Sequence, residues 1–317
     1  MALAGPPSVL ETRHRAPRIR HETVIFYLCI APWLIGLIAF IAGPMVASAG
    51  LSFTRWDMLS PPEWVGLRNY VTMFTEDPDY WQSLRVTVVY SVFSVPLRLS
   101  AALFLAILLN EATKGVGIFR TIFYLPSIVA SVAAAVLWSW ILNPRFGPVN
   151  GALRLIGIRG PAWFSDPGYA LWGLVLMSGW GVGGEMLIFL AGLKGIPSTL
   201  YEAAEIDGAG RWPRFIRVTL PMLSPAIFFN FVMSMIGSFQ TFDTAYVIST
   251  ARAGTIGGPL RSTLFYMLHL YRNAFSWLKM GYASALAWVL FLIILGLTLI
   301  ALRSSALWVY YEAERGR

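Results

Sequence analysis

Six apolar runs, each about as long as a helix needs to cross a ~30 Å hydrocarbon core, constrain this chain more than any other feature. They cover residues 24–53, 86–109, 119–142, 170–193, 224–248 and 282–302. A bilayer offers no water to backbone groups, so each run must satisfy its own N–H and C=O groups; helices are expected and sheet is not. The expected fold is an all-α membrane protein with six transmembrane helices. Composition agrees, with 57% hydrophobic and 13% charged residues and a mean hydropathy of +0.63, far from the balance of a soluble domain.

Basic residues near the ends of spans set orientation. With the amino terminus inside, Arg13, Arg15, Arg18, Arg20, Lys114, Arg120, Lys194, Arg211, Arg214, Arg217, Arg303, Arg315 and Arg317 fall on the cytoplasmic side. Residues 1–23 then form a cytoplasmic tail, 24–303 the membrane domain with a polar loop at 195–221, and 304–317 a second cytoplasmic tail. The net charge of +8 reads as a topology signal and a surface for anionic membrane lipid, with no motif of a nucleic-acid binder beside it. The first run is too long for a signal-peptide core, so it is expected to be retained. Cys29, the one cysteine, lies in that run and is expected to be a buried packing residue; no disulfide or thiolate metal site can form. The three histidines, His14, His21 and His269, lack zinc-ligand spacing, and no glycine-rich phosphate loop occurs. The expectation is a chain with no catalytic residue, no metal and no cofactor of its own.

Between the fourth and fifth runs lies EAAEIDGAGRWPRFIRVTLP, from Glu202 to Pro221. Thr199 and Glu202 have capping-box spacing, Gly208 suits a left-handed helix end, and Pro213 suits the first turn of a second helix. That second helix would place Arg211, Arg214 and Arg217 towards solvent and Phe215, Ile216 and Val218 on its other side, with Pro221 and Pro225 ending the pattern. The segment reads as a rigid docking knob or as an interfacial helix on lipid.

The same segment resembles the signature of the integral-membrane subunits of ATP-binding-cassette importers: E-A-A, two residues, D-G-A, eight residues, I, one residue, L-P. Glu202, Ala203, Ala204, Asp207, Gly208, Ala209, Leu220 and Pro221 match it, and Val218 stands in the isoleucine place. The resemblance implies a type I importer permease fold whose loop is a coupling helix seated on a cytoplasmic ATPase dimer. It extends over roughly residues 27–302, where FRTIFYLPSIVA from Phe119, FQTFDTAYVIST from Phe239 and MGYASALAWVLFLIILG from Met280 are similar to the carbohydrate branch, the oligosaccharide and glycerol-3-phosphate importers. By that resemblance the chain is half of a translocation pathway in a prokaryotic cytoplasmic membrane. Its implied partners are a second permease, the ATPase that uses the ATP, and an extracytoplasmic substrate-binding protein. A secondary transporter is the rival reading, but the inverted repeats such proteins often show are not evident.

Ionisable residues inside a bilayer are functional candidates. Arg98, Glu185 and Asp243 qualify. Arg98 follows Pro96 and either faces a cavity or neutralises Glu185 or Asp243; the family usually has a small or neutral polar residue there, which leaves substrate charge open. Glu185 follows Gly179, Gly181, Gly183 and Gly184, a cluster that favours close helix approach. Asn230, Ser234, Ser238 and Thr241 form a polar stripe at helical spacing. Gln240, Asp243 and Tyr246 lie beside it, and Trp180 offers an aromatic face for a sugar ring. These residues are pathway candidates, with helix packing as the alternative. The acidic loop 54–84 is expected outside, against the binding protein.

Overall fold

The computed structural model describes residues 21–111, 115–253 and 256–310. Arg13, Arg15, Arg18, Arg20, Lys114, Arg315 and Arg317 lie outside the described residues. The chain divides into two units, up to Gly50 and from Leu51 onward. In the first unit, α1 (His21–Leu37) continues through a π-helical turn, Ile38–Ala42, into α2 (Gly43–Leu51). Cys29 is exposed on α1 rather than buried. An apolar side chain loses nothing by facing lipid, so hydropathy alone does not predict burial in a membrane helix.

The second unit begins with β1 (Thr54–Arg55) and β2 (Glu63–Trp64), a two-residue antiparallel ladder that the all-helical expectation lacked. It lies in a loop between spans, where the bilayer argument against sheet edges does not apply. Then come α3 (Arg68–Thr75) and α4 (Pro78–Glu111). The latter has 34 residues and runs unbroken past Pro96, roughly 50 Å long at 1.5 Å per residue. It is the mast of the unit, and its residues enter all three buried clusters: Val86 and Tyr90, Tyr80, and Ala102 with Ala106.

The third and fourth runs are not straight rods. The third is α5 (Val116–Ile128) and α6 (Ser131–Ile141), bent by 100° where Val129 and Ala130 turn extended. Pro126 leaves the carbonyl four residues earlier without its usual partner, which weakens the helix shortly before the break. After α7 (Pro148–Leu155), the fourth run is α8 (Ala170–Ser178) and α9 (Gly183–Lys194), bent by 40° across the glycine-rich joint. Gly183 is a packing residue: a Cβ there would stand 2.8 Å from Tyr124 Cα.

Then follow α10 (Ser198–Ile206), α11 (Arg211–Arg214), a π turn at Phe215–Thr219 and α12 (Leu220–Phe239). Pro221 and Pro225 do not end the helix as expected. Pro221 enters at the start of α12, and the wider turn before it, with Leu220 N–H bonded to Phe215 O, accommodates the change of pattern. The second helix of the polar loop and the fifth span are therefore one winding. The fifth run itself divides at Gln240–Phe242 before α13 (Asp243–Ala253). Last come α14 (Tyr266–Tyr271), a π turn at Arg272–Ser276 and α15 (Met280–Trp308). Among the described residues, four helical stretches are long and apolar enough to cross a bilayer, and up to six if each bent pair counts as one span.

Candidate functional site

Three helices enclose a cavity of about 480 Å³. Tyr90, Ser94 and Arg98 reach it from α4 at four-residue intervals, so all three share one face. Gly184, Glu185 and Ile188 come from α9, and Asn230, Ser234 and Ser238 from α12, with Thr241 just beyond. The polar stripe thus lies on one wall and Arg98 on another.

Arg98 and Glu185 form an ion pair, with Arg98 Nε donating to Glu185 Oε1 at 3.1 Å and Nη2 donating to the same oxygen. Arg98 thus both lines the cavity and pairs with Glu185. Its side chain is 32% exposed against 14% for the carboxylate, so the guanidinium is the more accessible partner. Asn230 Nδ2 donates to the Glu185 carbonyl at 3.4 Å, and Ser238 Oγ lies 2.6 Å from Ser91 Oγ, which locks α12 against α9 and α4. Ser94 Oγ is buried beside the Tyr90 hydroxyl and makes no close hydrogen bond among the described residues. A buried hydroxyl without a well-made hydrogen bond costs up to ~1–3 kcal/mol, so this one favours a polar occupant.

The remaining candidates lie elsewhere. Gln240 is exposed where α12 ends, and Asp243 is exposed in the first turn of α13, accepting from Ser131 Oγ at 2.9 Å. Tyr246 stacks on Phe242, 5.5 Å between centroids, and Trp180 meets Trp138 edge to face at 6.2 Å. None of the four lines the cavity. Sequence reasoning missed Tyr90 and Ser94; their register with Arg98 was the available signal.

The knob from Glu202 is a helix closed by a double hydrogen-bond cap. Gly208 has φ +74°, its N–H donates to Glu205 O at 3.0 Å, and Ala209 N–H reaches back to Ala204 O at 2.9 Å. These are the two bonds of a Schellman motif, whose left-handed residue favours glycine. At the other end the capping box is absent: α10 starts at Ser198 behind Pro197, and no side chain caps it. Pro197 presets the chain for helix entry, and the start two residues earlier moves Thr199 out of the cap position. Arg214 Nη1 donates to Glu205 at 3.3 Å, and the Tyr201 hydroxyl lies 3.0 Å from Thr219 Oγ1. Glu202, Ala203 and Asp207 remain exposed, as do the apolar Ile206 and Trp212, at 87% and 69%. An uncovered apolar patch on a polar knob marks a contact surface.

A second ionic cluster had no counterpart in the sequence reading. Asp77 accepts from Tyr282 OH at 2.6 Å and lies 2.9 Å from His269 Nε2, while Asp79 is bridged by Arg261 and Arg272. Arg272 also reaches His269 Nδ1 at 3.2 Å; a guanidinium can only donate, so the ring proton sits on Nε2. Burial pushes the Asp77 carboxyl up, but the hydrogen bonds from His269 and Tyr282 outweigh it and hold it well below the usual carboxylate range. Among the described residues, no group of three or more His, Cys, Asp and Glu side chains could hold a metal.

Residues 98–307 match the family model described as the binding-protein-dependent transport system inner membrane component. The chain is 49% identical over 298 residues to a probable ABC transporter permease, YesP, of Bacillus subtilis, covering 93% of this chain and 95% of the relative. It is 34% identical over 285 residues to SmoG of Agrobacterium fabrum, a sulfoquinovosyl glycerol transport system permease, covering 89% and 90%. A crystal structure of a bacterial ABC transporter that imports the acidic polysaccharide alginate shares the fold, with a TM-score of 0.77 at 24% identity over 90% of this chain and 96% of that one.

Proposed function

The chain belongs to the family of binding-protein-dependent transport inner membrane components and is a multi-pass permease of a sugar-type ATP-binding-cassette importer, and on that premise we propose that its cavity is one half of a carbohydrate pathway. The observation that carries the reading is the convergence of hydroxyl, amide and guanidinium groups from α4 and α12, with the Glu185 carboxylate from α9, on a space of about 480 Å³. Sugars offer many donors and acceptors, and walls with unsatisfied polar groups discriminate against ligands that cannot pair with them. The Arg98 donors that face the cavity take substrate oxygens while Glu185 holds the guanidinium in place.

The knob at Glu202 seats on an ATPase dimer, whose ATP drives import, and α11, the π turn and α12 carry its movement to Asn230 and Ser234. A second permease closes the pathway, and an extracytoplasmic binding protein delivers the cargo. Both termini and the knob face the cytoplasm; Asp77 and Gly258 face outward. Impermeant labelling of single cysteines in a Cys29→Ala background checks this sidedness, and labelling at position 207 but not 77 in intact cells reverses it.

A neutral, hydroxyl-rich cargo fits a pair whose charges cancel. An anionic carbohydrate is the second reading, favoured by the greater exposure of the guanidinium. In the reconstituted transporter, neutral saccharides should stimulate ATP hydrolysis and Arg98→Gln should weaken that stimulation modestly. If only acidic saccharides or sugar phosphates stimulate, and Arg98→Gln abolishes the response, the anionic reading replaces the neutral one. Stimulation by no saccharide of either kind removes the carbohydrate assignment.

A further inference from the structure

A cavity of about 740 Å³ opens at the ionic cluster, in the outer loops, with Asp77, Asp79 and Tyr282 in its lining. Trp56 and Trp277 stand in its wall. Trp277 is half exposed, and the Arg272 guanidinium sits 4.4 Å over its ring with the Lys279 ammonium 5.4 Å away. The rim carries four basic and five acidic side chains, a near balance that disfavours a strongly charged ligand. Arg68, Glu76 and Lys279 supply donors and acceptors in the same lining.

This cavity is also where the backbone is strained. Among the described residues, the non-glycine positions in the left-handed region are Met58, Leu260, Arg261 and Leu278, at φ 67°, 48°, 61° and 53°. Arg261 and Leu278 line the cavity, and the other two lie within two residues of its lining. Such conformations persist where surrounding bonds over-determine them, and they gather at ligand sites. Here Trp277 N–H donates to Arg272 O at 3.0 Å, Lys279 N–H to Asn273 O at 2.8 Å, and Gly281 N–H to Trp56 O at 3.3 Å. The hook from 272 to 281 is thereby pinned to the loop that bears Trp56, and both indoles are held on fixed supports.

We propose that this outer cavity is a second carbohydrate-binding site, which stacks a sugar ring on Trp277 and Trp56 before the cargo reaches the cavity at Arg98. The proposal rests on the carbohydrate reading of the cargo. A flat apolar face flanked by mixed polar groups suits a pyranose, which is apolar on its faces and polar around its edge. Asp79 in the lining of this site and Arg98 in the membrane cavity are 19 positions apart on the same helix, about 28 Å of rise. The two sites would thus be occupied in sequence.

Hydrogen-exchange mass spectrometry on the complete transporter in nanodiscs, with the binding protein left out, tests this. The probes are di- to tetrasaccharides of glucose, galactose and mannose and their uronic-acid counterparts. At least one should slow exchange in residues 54–80 and 259–281. Trp277→Ala should weaken its apparent affinity there by up to about tenfold, the reach of one aromatic contact, and leave protection beside Arg98 in place. If no saccharide slows the outer peptides, the outer site is overturned, and protection beside Arg98 then leaves the membrane reading standing alone. Slowing outside with none beside Arg98 retains the outer site and sinks the membrane one. In a second arm sugar-free binding protein is added without saccharide, and slowing of the outer peptides in that arm alone makes the cavity a protein-docking surface and overturns the carbohydrate proposal.

Discussion

Asp79 and Arg98 project from one helix, and each is paired, yet their surroundings assign them opposite work. Asp79 is held by two arginines while its neighbour Asp77 is saturated by a tyrosine, a histidine and the Asp79 N–H. With α14, α15 and the loop before α4 all contributing, that cluster ties one end of the unit together within the lining of the cavity that Trp56 and Trp277 share. Arg98 has one acidic partner and a cavity in front of it. Saturated charge holds a fold together, whereas charge with spare donors is available to a ligand.

The sharpest way to break this contrast is Arg272→Met, which leaves Asp79 with only its more exposed partner, Arg261. Removing one member of a buried ion pair costs ~3–5 kcal/mol, so the purified chain should melt much earlier and assemble poorly. Thermal unfolding in detergent measures it, and an unchanged melting curve would show the cluster to be dispensable. Next in size is Glu185→Gln, which leaves Arg98 without its acid at a cost of about 1–3 kcal/mol. Because that pair is partly exposed, the loss of saccharide-stimulated ATP hydrolysis should exceed the loss of stability. A double-mutant cycle with Arg98→Gln should show coupling in stimulation; additive effects would mean the two residues act separately.

Gly208→Val tests the knob. A side chain in the left-handed region costs ~1–2 kcal/mol, and with no atom near the missing Cβ the cost is backbone strain alone. Insertion should survive while ATPase retention in pull-down and vesicle uptake fall; Glu202→Ala should lower uptake with less effect on stability. Full uptake by both variants would remove the docking role. The smallest effect is that of pH. The folded-state pKa of Asp77 is lowered, so its contribution to stability is complete above the unfolded value of about 3.9 and is lost as pH falls towards the folded one. Melting temperature should show no step from this group between about pH 5 and 8 and should decline below about pH 4. The Asp77→Asn variant should lose that acid-side decline.

Much of this was legible in the sequence because membrane spans are written in long apolar runs and the knob in a spaced signature. Gly208 announced its left-handed turn, and the stripe of Asn230, Ser234 and Ser238 announced a shared face. What stayed hidden depended on partners far apart in the chain. Nothing local to Asp77 points to His269 or Tyr282, some two hundred positions away, and Arg98 alone could not choose between Glu185 and Asp243. The breaks at Val129–Ala130 and Gln240–Phe242 were also hidden, because hydropathy averages over a bend and cannot register one.

The π turn at Phe215–Thr219 has a consequence for timing around the helix axis. Such a turn winds one residue more than the α turn it replaces, and one residue is about 100° of rotation. It therefore sets the phase between the knob, tied in by Tyr201 to Thr219, and the face of α12 that bears Asn230, Ser234 and Ser238. Wound as ordinary α-helix, the same sequence would swing those three side chains by roughly a quarter of a circle, off the cavity wall and towards its neighbours. Five residues outside the cavity thus decide which residues are in it.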